Sequence, residues 1–155
     1  MSPERRRADA AVLDSLLDLE RTSAIAYAAL RPLLRGSARR SADAFLDHER
    51  AHARALERAL AELRVEPTPP RPDRQYEAGF PRLRTAEDAL RFALDVEETQ
   101  VAAYGDSLPT LFTPELRVTL GTILAAESEH ASVVLGELDE PQAPRALVVG
   151  RPPEA

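Results

Sequence analysis

The run His48-Glu49-Arg50-Ala51-His52 concentrates residue types that do chemistry, and Glu49 and His52 are its centre. A helix turns about 100° per residue, so residues three apart share a face. Stepping along that face gives Phe45, Glu49, His52, Leu56, Leu60 and Leu63, the three-and-four spacing of an apolar stripe. A carboxylate and an imidazole therefore stand where core leucines are expected. An ionised carboxylate buried without a partner is costly, so something must compensate its charge.

Three more segments carry stripes of this kind. Residues 8–31 read as a first helix with Leu13, Leu16, Leu17, Glu20, Ala24 and Tyr27 inward, ended by Arg31-Pro32 and Gly36. Ser41 or Asp43 can cap the second helix, which runs to about Arg64. Thr85 caps a third, with Leu90, Ala93, Leu94, Glu97, Val101, Tyr104 and Leu108 on its stripe and Pro109 as its stop. Thr113-Pro114-Glu115 starts a fourth, with Ile123, Glu127, His130, Val134 and Leu138 inward. Between the second and third helices, Pro67, Pro69, Pro70, Pro72, Pro81 and Gly79 over residues 65–84 exclude a continuing helix. A helix of about 24 residues is roughly 36 Å long. A connection of about 20 residues reaches roughly 65 Å, enough to return the chain to the other end of a bundle.

The chain repeats itself. Leu17-Asp18-Leu19-Glu20 parallels Leu94-Asp95-Val96-Glu97, and Tyr27 parallels Tyr104, at an offset of 77 residues. Phe45, Glu49, His52, Leu56 and Leu60 parallel Ile123, Glu127, His130, Val134 and Leu138 at an offset of 78. Two helical hairpins of one design each supply a Glu from the first helix and a Glu-x-x-His from the second. Four carboxylates and two imidazoles converging in one core make a site for two divalent cations, Fe, Mn or Zn by ligand type. The expected arrangement has one His per metal, Glu49 and Glu127 bridging, Glu20 and Glu97 capping, and a terminal position left open.

This pattern resembles the ferritin-like superfamily of di-iron and di-manganese carboxylate four-helix bundles. The resemblance covers about residues 10–138 and is carried by Glu20, Glu49, His52, Glu97, Glu127 and His130. The segments around Glu20 and Glu127 are most similar to small bacterial ferritin-like domains of stress- and desiccation-related proteins. It implies an all-α four-helix bundle over 8–138, two hairpins joined by a long crossover between helices two and three. It also implies two bound divalent metal ions, Fe first and Mn second, with Fe(II) oxidation or reduction of O₂ or peroxide as the activity. Metal binding or storage without efficient turnover is the alternative. A homodimer is the family's habit. Residues 139–155 read as a Pro-rich, disordered tail. Within it, Arg145–Arg151 faintly resembles the Leu/Val/Gly peptides that tether ferritin-like cargo inside encapsulin shells, against the plainer reading of a frayed end.

Other residues have competing readings. Tyr27 and Tyr104 either donate to a metal-bound carboxylate, or carry a radical, or pack as core aromatics. Glu98 and Glu129 fall off the buried face. His48 completes H-E-x-x-H, the zinc metalloprotease motif, in which both His bind zinc and the Glu is the base. Against that reading, the second repeat has Ala126 at the matching place, and no third ligand or substrate-pairing strand stands out.

Composition narrows the rest. At 155 residues and 44% apolar, with aromatics only 5%, the chain suits one domain of packed helices. All 20 basic residues are Arg, which reads as a GC-rich genome. There is no Cys, hence no disulfide or thiolate site. A net charge of −6 argues against nucleic acid. No apolar region follows the charged N-terminus as in a signal peptide, and no 18-residue apolar run spans a membrane. The cytoplasm is the expected compartment.

Overall fold

The computed structural model describes residues 1–143. Residues 144–155, with the Arg145–Arg151 segment, lie outside the described residues. Four long helices form two hairpins: α1 (Pro3–Leu30) with α2 (Gly36–Glu62), and α4 (Ala86–Ser107) with α5 (Pro114–Glu137). A one-turn-and-a-half helix, α3 (Asp73–Glu77), interrupts the crossover between them. Short 3₁₀ turns at Arg31–Leu33 and Leu108–Thr110 close α1 and α4. The four-helix bundle with its long crossover is the architecture expected.

The helix ends differ from expectation where side chains have better partners. α1 begins five residues earlier than the periodicity predicts, because Ser2 caps it by accepting from the Arg5 N–H at 3.3 Å, with Pro3 in the first turn. α2 begins at Gly36, whose φ of +60° suits glycine, and neither Ser41 nor Asp43 caps it. Asp43 instead accepts from Arg39 on its own helix and from Arg31 on the preceding turn. Thr85 caps α4 as expected, in a reciprocal capping box with Asp88. α2 and α5 end alike: Arg64 and Asp139 take the left-handed conformation (φ 60° and 58°), and the next N–H reaches back to Leu60 O and Leu135 O.

The crossover is strapped to the outer face of α1. Asp14 accepts from the Thr68 N–H and hydroxyl at 2.8 and 2.6 Å, and Asp18 accepts from Arg71 and Tyr76. α3 forms inside this Pro-rich stretch because Pro72 precedes its first turn, Asp73 occupies it, and Tyr76 buries its ring. At the opposite edge of α1, Asp9 is fully buried and accepts from the backbone of Phe112 and Thr113 and from the Thr113 hydroxyl. Thr113 therefore holds the start of α5 to α1 instead of capping its own helix.

The core is divided. One apolar cluster joins Leu13, Leu17, Leu56, Leu60, Leu120 and Ile123; the other joins Leu30, Leu34, Phe45, Leu46, Ala93 and Val134. The first gathers the start of α1, the end of α2 and the start of α5. The second gathers the opposite helix ends, so the crossover carries the chain from one end of the bundle to the other. Between the clusters lies a band of polar side chains.

Asp9→Ala would strand the two backbone donors at the α4–α5 turn. A loss of about 1–3 kcal/mol is expected in chemical denaturation, with helix content retained. An unchanged denaturation midpoint would count against this anchoring role.

Candidate metal centre

Each hairpin brings three groups to the middle of the bundle. Glu20 comes from α1, Glu49 and His52 from α2, Glu97 from α4, and Glu127 and His130 from α5. All four glutamates are fully buried, His130 is 3% exposed, and His52 lies at the edge with its side chain 14% exposed. The six residues singled out by periodicity and repeat thus converge.

They form two overlapping groups, each with ligand atoms within 4.8 Å of one another: Glu20, Glu49, His52 and Glu127, and Glu49, Glu97, Glu127 and His130. Glu49 and Glu127 belong to both. His52 Nδ1 lies 2.8 Å from Glu127 and 3.6 Å from Glu20. His130 Nδ1 lies 3.1 Å from Glu127, 3.4 Å from Glu97 and 3.5 Å from Glu49.

These approaches are close but not directed. Glu49 Oε1, Glu97 Oε2, both oxygens of Glu127 and the Nδ1 atoms of both histidines are buried without an aligned hydrogen-bond partner. Buried polar atoms are ordinarily satisfied, so orphans gathered at one place mark a missing common partner. The donor set, carboxylate oxygens and imidazole nitrogens, fits two first-row divalent cations.

The remaining carboxylate oxygens are held by an exchange between hairpins. Tyr27 on α1 donates to Glu97 Oε1 on α4, and Tyr104 on α4 donates to Glu20 Oε1 on α1. Burial first, then the adjacent glutamates, raises both phenol pKa values, so both remain donors. Of the readings open for these tyrosines, the structure supports donation to the carboxylates, from positions that are also core.

Protons offset part of the buried negative charge. Burial alone would lower the His52 pKa, but Glu127 and Glu20 outweigh it and raise it to about 10. His130, opposed by burial in the same way, is pushed up to about 12 by Glu127, Glu49 and Glu97. Burial raises Glu97 to about 7 and Glu49 well above the usual carboxylate range. Glu127 resists the same burial because His130 and His52 hold it at about 2.

Two residues at the centre were not on the expected stripes. Gln100 is fully buried, and its Nε2 donates to Glu49 Oε2 at 2.8 Å and reaches Glu20 Oε2 at 3.5 Å. Ser23, its counterpart on α1, is also buried, whereas Ala24, Leu90 and Leu94 are only partly so. Both lie three residues after a stripe glutamate, whereas the expected stripes continue at the fourth, Ala24 and Val101. Helical spacing allows either step, and an uncharged polar side chain does not mark which one faces the core. His48 lies outside both groups. It is exposed, and its Nδ1 sits 2.9 Å from His130 Nε2. Burial and the neighbouring imidazoles of His130 and His52 lower its pKa, which keeps it neutral. The H-E-x-x-H geometry is therefore not formed: Glu49 sits among the ligand atoms, and His48 faces a histidine. Glu98 and Glu129 also fall outside both groups.

No helix among the described residues is long and apolar enough to cross a membrane. No curated protein matches the chain. Among solved structures, a conserved hypothetical protein from Mycobacterium tuberculosis has the same fold. It superposes with a TM-score of 0.74 at 18% identity, over 88% of this chain and 99% of that one. The model of the ferritin-like domain matches residues 8–140, nearly the whole bundle. The chain is a member of the ferritin-like domain family.

Proposed function

We propose that this protein binds two divalent metal ions, Fe or Mn, through Glu20, Glu49, His52, Glu97, Glu127 and His130, and oxidises Fe(II) or reduces O₂ or peroxide there. The observation that carries the reading is the pair of overlapping ligand groups, sharing Glu49 and Glu127, whose buried atoms lack aligned partners. Bound there, two such ions would supply the electrons for the reaction. The chain holds the ligands in place, with Tyr27 and Tyr104 fixing Glu97 and Glu20 across the hairpin interface. The apolar clusters on either side keep bulk water from the centre, and the less buried His52 side is its nearest approach to solvent. Passive metal holding by the same ligands is the second reading, and the same donor set supports it.

Bound metal stabilises the native state by mass action, so Fe(II) or Mn(II) should raise the melting temperature and a chelator should reverse the shift. Glu127→Ala removes a member of both groups and should abolish the shift. Aerobic addition of Fe(II) then separates the two readings. Ferric absorbance growing faster than autoxidation supports the oxidase; growth at the background rate supports passive binding.

Metal must displace the protons that the centre holds. With His52 at about 10, His130 at about 12 and Glu97 at about 7, both imidazoles are charged at neutral pH and Glu97 is partly protonated. Loading at neutral pH should release protons from the two imidazoles and from the raised carboxyls of Glu97 and Glu49. Affinity should therefore rise with pH and fall on acidification. Calorimetry in buffers of different ionisation enthalpy measures the release, and a pH-independent affinity would contradict it. Replacing both tyrosines (Tyr27→Phe with Tyr104→Phe) should weaken metal affinity by about 10–100-fold, the usual cost of freeing a ligand from its orienting partner. Wild-type affinity in that variant would show the phenols to be packing groups only.

A further inference from the structure

A hollow of about 490 Å³ lies between α1 and α4, bounded on its third side by the crossover, and none of the six candidate ligands lines it. It exists because the facing residues are small. Thr22 and Ser23 on α1 and Thr99 on α4 stand where larger side chains would close the gap between the helices, and Gly79 adds no side chain from the crossover. The walls are apolar and aromatic: Leu19 and Val96 come from the helices, and the rings of Phe92, Phe80 and Tyr76 complete them. The Phe80 and Phe92 rings meet at a centroid distance of 5.0 Å, tilted by 56°. The crossover wall is fixed, because Asp14 and Asp18 on α1 hold Thr68, Arg71 and Tyr76. The hollow is therefore preformed, and its size falls in the range of small-molecule sites.

Four hydroxyl side chains line the hollow, and three of them are already engaged. Thr22 donates to the Asp18 carbonyl at 2.8 Å, and Thr99 donates to the Asp95 carbonyl at 2.7 Å. The Tyr76 hydroxyl donates to the Asp18 carboxylate and accepts from the Arg71 N–H. Ser23 is the exception. It is 2% exposed, and among the described residues its hydroxyl has no hydrogen-bond partner. A buried polar group that faces a hollow without a partner is a place for a ligand's polar atom. The charge of the lining narrows the ligand. No arginine lines the hollow, and Asp95, at an exposed position, is the one charged residue that does. An anion would meet that carboxylate and apolar walls, while a plain hydrocarbon would leave Ser23 unpaired in a drier place.

We propose that this hollow is a binding site for a neutral, ring-bearing organic molecule with one hydroxyl or carbonyl group. The rings lie against Phe80 and Phe92, where offset or edge contacts with aromatic faces are favourable. The hydroxyl or carbonyl pairs with Ser23. The occupant lies along α1 and α4, the helices that carry Glu20 and Glu97, but touches no candidate ligand. The inference therefore stands apart from the metal reading, and neither falls with the other.

Equilibrium dialysis of the full chain against 1-naphthol, naphthalene and 1-naphthoate tests it. Wild type should bind 1-naphthol saturably, one molecule per chain, about three- to tenfold more tightly than naphthalene, the worth of one hydrogen bond. 1-Naphthoate should bind more weakly than 1-naphthol. Ser23→Ala should remove the advantage of 1-naphthol and leave naphthalene binding unchanged, a pattern that a general loss of structure would not produce. Thr99→Trp, at an exposed position of the lining, should fill the hollow and abolish binding of all three probes with helix content retained. The proposal is overturned by any of four results: no saturable binding of 1-naphthol, an advantage that persists in Ser23→Ala, 1-naphthoate binding as tightly as 1-naphthol, or undiminished binding in a folded Thr99→Trp. Binding that appears only as the protein is diluted would make the hollow a contact between copies of the chain and overturn it too. If Thr99→Trp unfolds, the Ser23→Ala comparison still decides.

Discussion

Four carboxylates share the dry interior of a small bundle, and everything else in the structure answers to that. Ionised groups lose several kcal/mol of hydration each on burial, and like charges a few ångströms apart repel strongly where the dielectric is low. The arrangement is tolerable only with positive charge among them. In the protein alone that charge is protonic, carried by His52 and His130 with pKa values of about 10 and 12 and by a Glu97 raised to about 7. Two divalent cations would carry the same compensation in another form. The centre is thus a place where protons and metal ions compete for one set of lone pairs.

The bundle supplies the stability that such a centre removes. Apolar clusters fill both ends, so hydrophobic burial brackets the polar band on two sides. The two hairpins are further tied by the exchange of phenol hydrogen bonds, each tyrosine serving the glutamate of the opposite hairpin. Neither hairpin completes its own ligand environment. Assembly of the halves and assembly of the site are therefore the same event, in accord with the repeat having been kept in register.

Outside the core, three aspartates on α1 do quieter work. Asp9 anchors the α4–α5 turn, while Asp14 and Asp18 anchor the crossover. A Pro-rich connection cannot hydrogen-bond itself into regular structure over its length. Carboxylates on a helix face satisfy its free donors and fix its course from one end of the bundle to the other.

The chain order of the residues was enough to determine the four long helices, the hairpin repeat, and the six residues that meet at the centre. Periodicity is a property of local geometry, and a charged residue on an apolar stripe is conspicuous in any fold. What only the packed molecule decided has a different character. Gln100 was invisible because an uncharged amide beside a stripe breaks no local rule; its importance comes from Glu49 and Glu20 on other helices. Asp9 matters through a turn more than 100 residues away. Asp43 failed as a cap, and His48 failed as half of a zinc motif, because arginines in one case and His130 in the other stand close to them in space. Sequence pattern reports which face a residue occupies. Which partner meets it there depends on how separate helices are brought together, and that is settled only when the core closes.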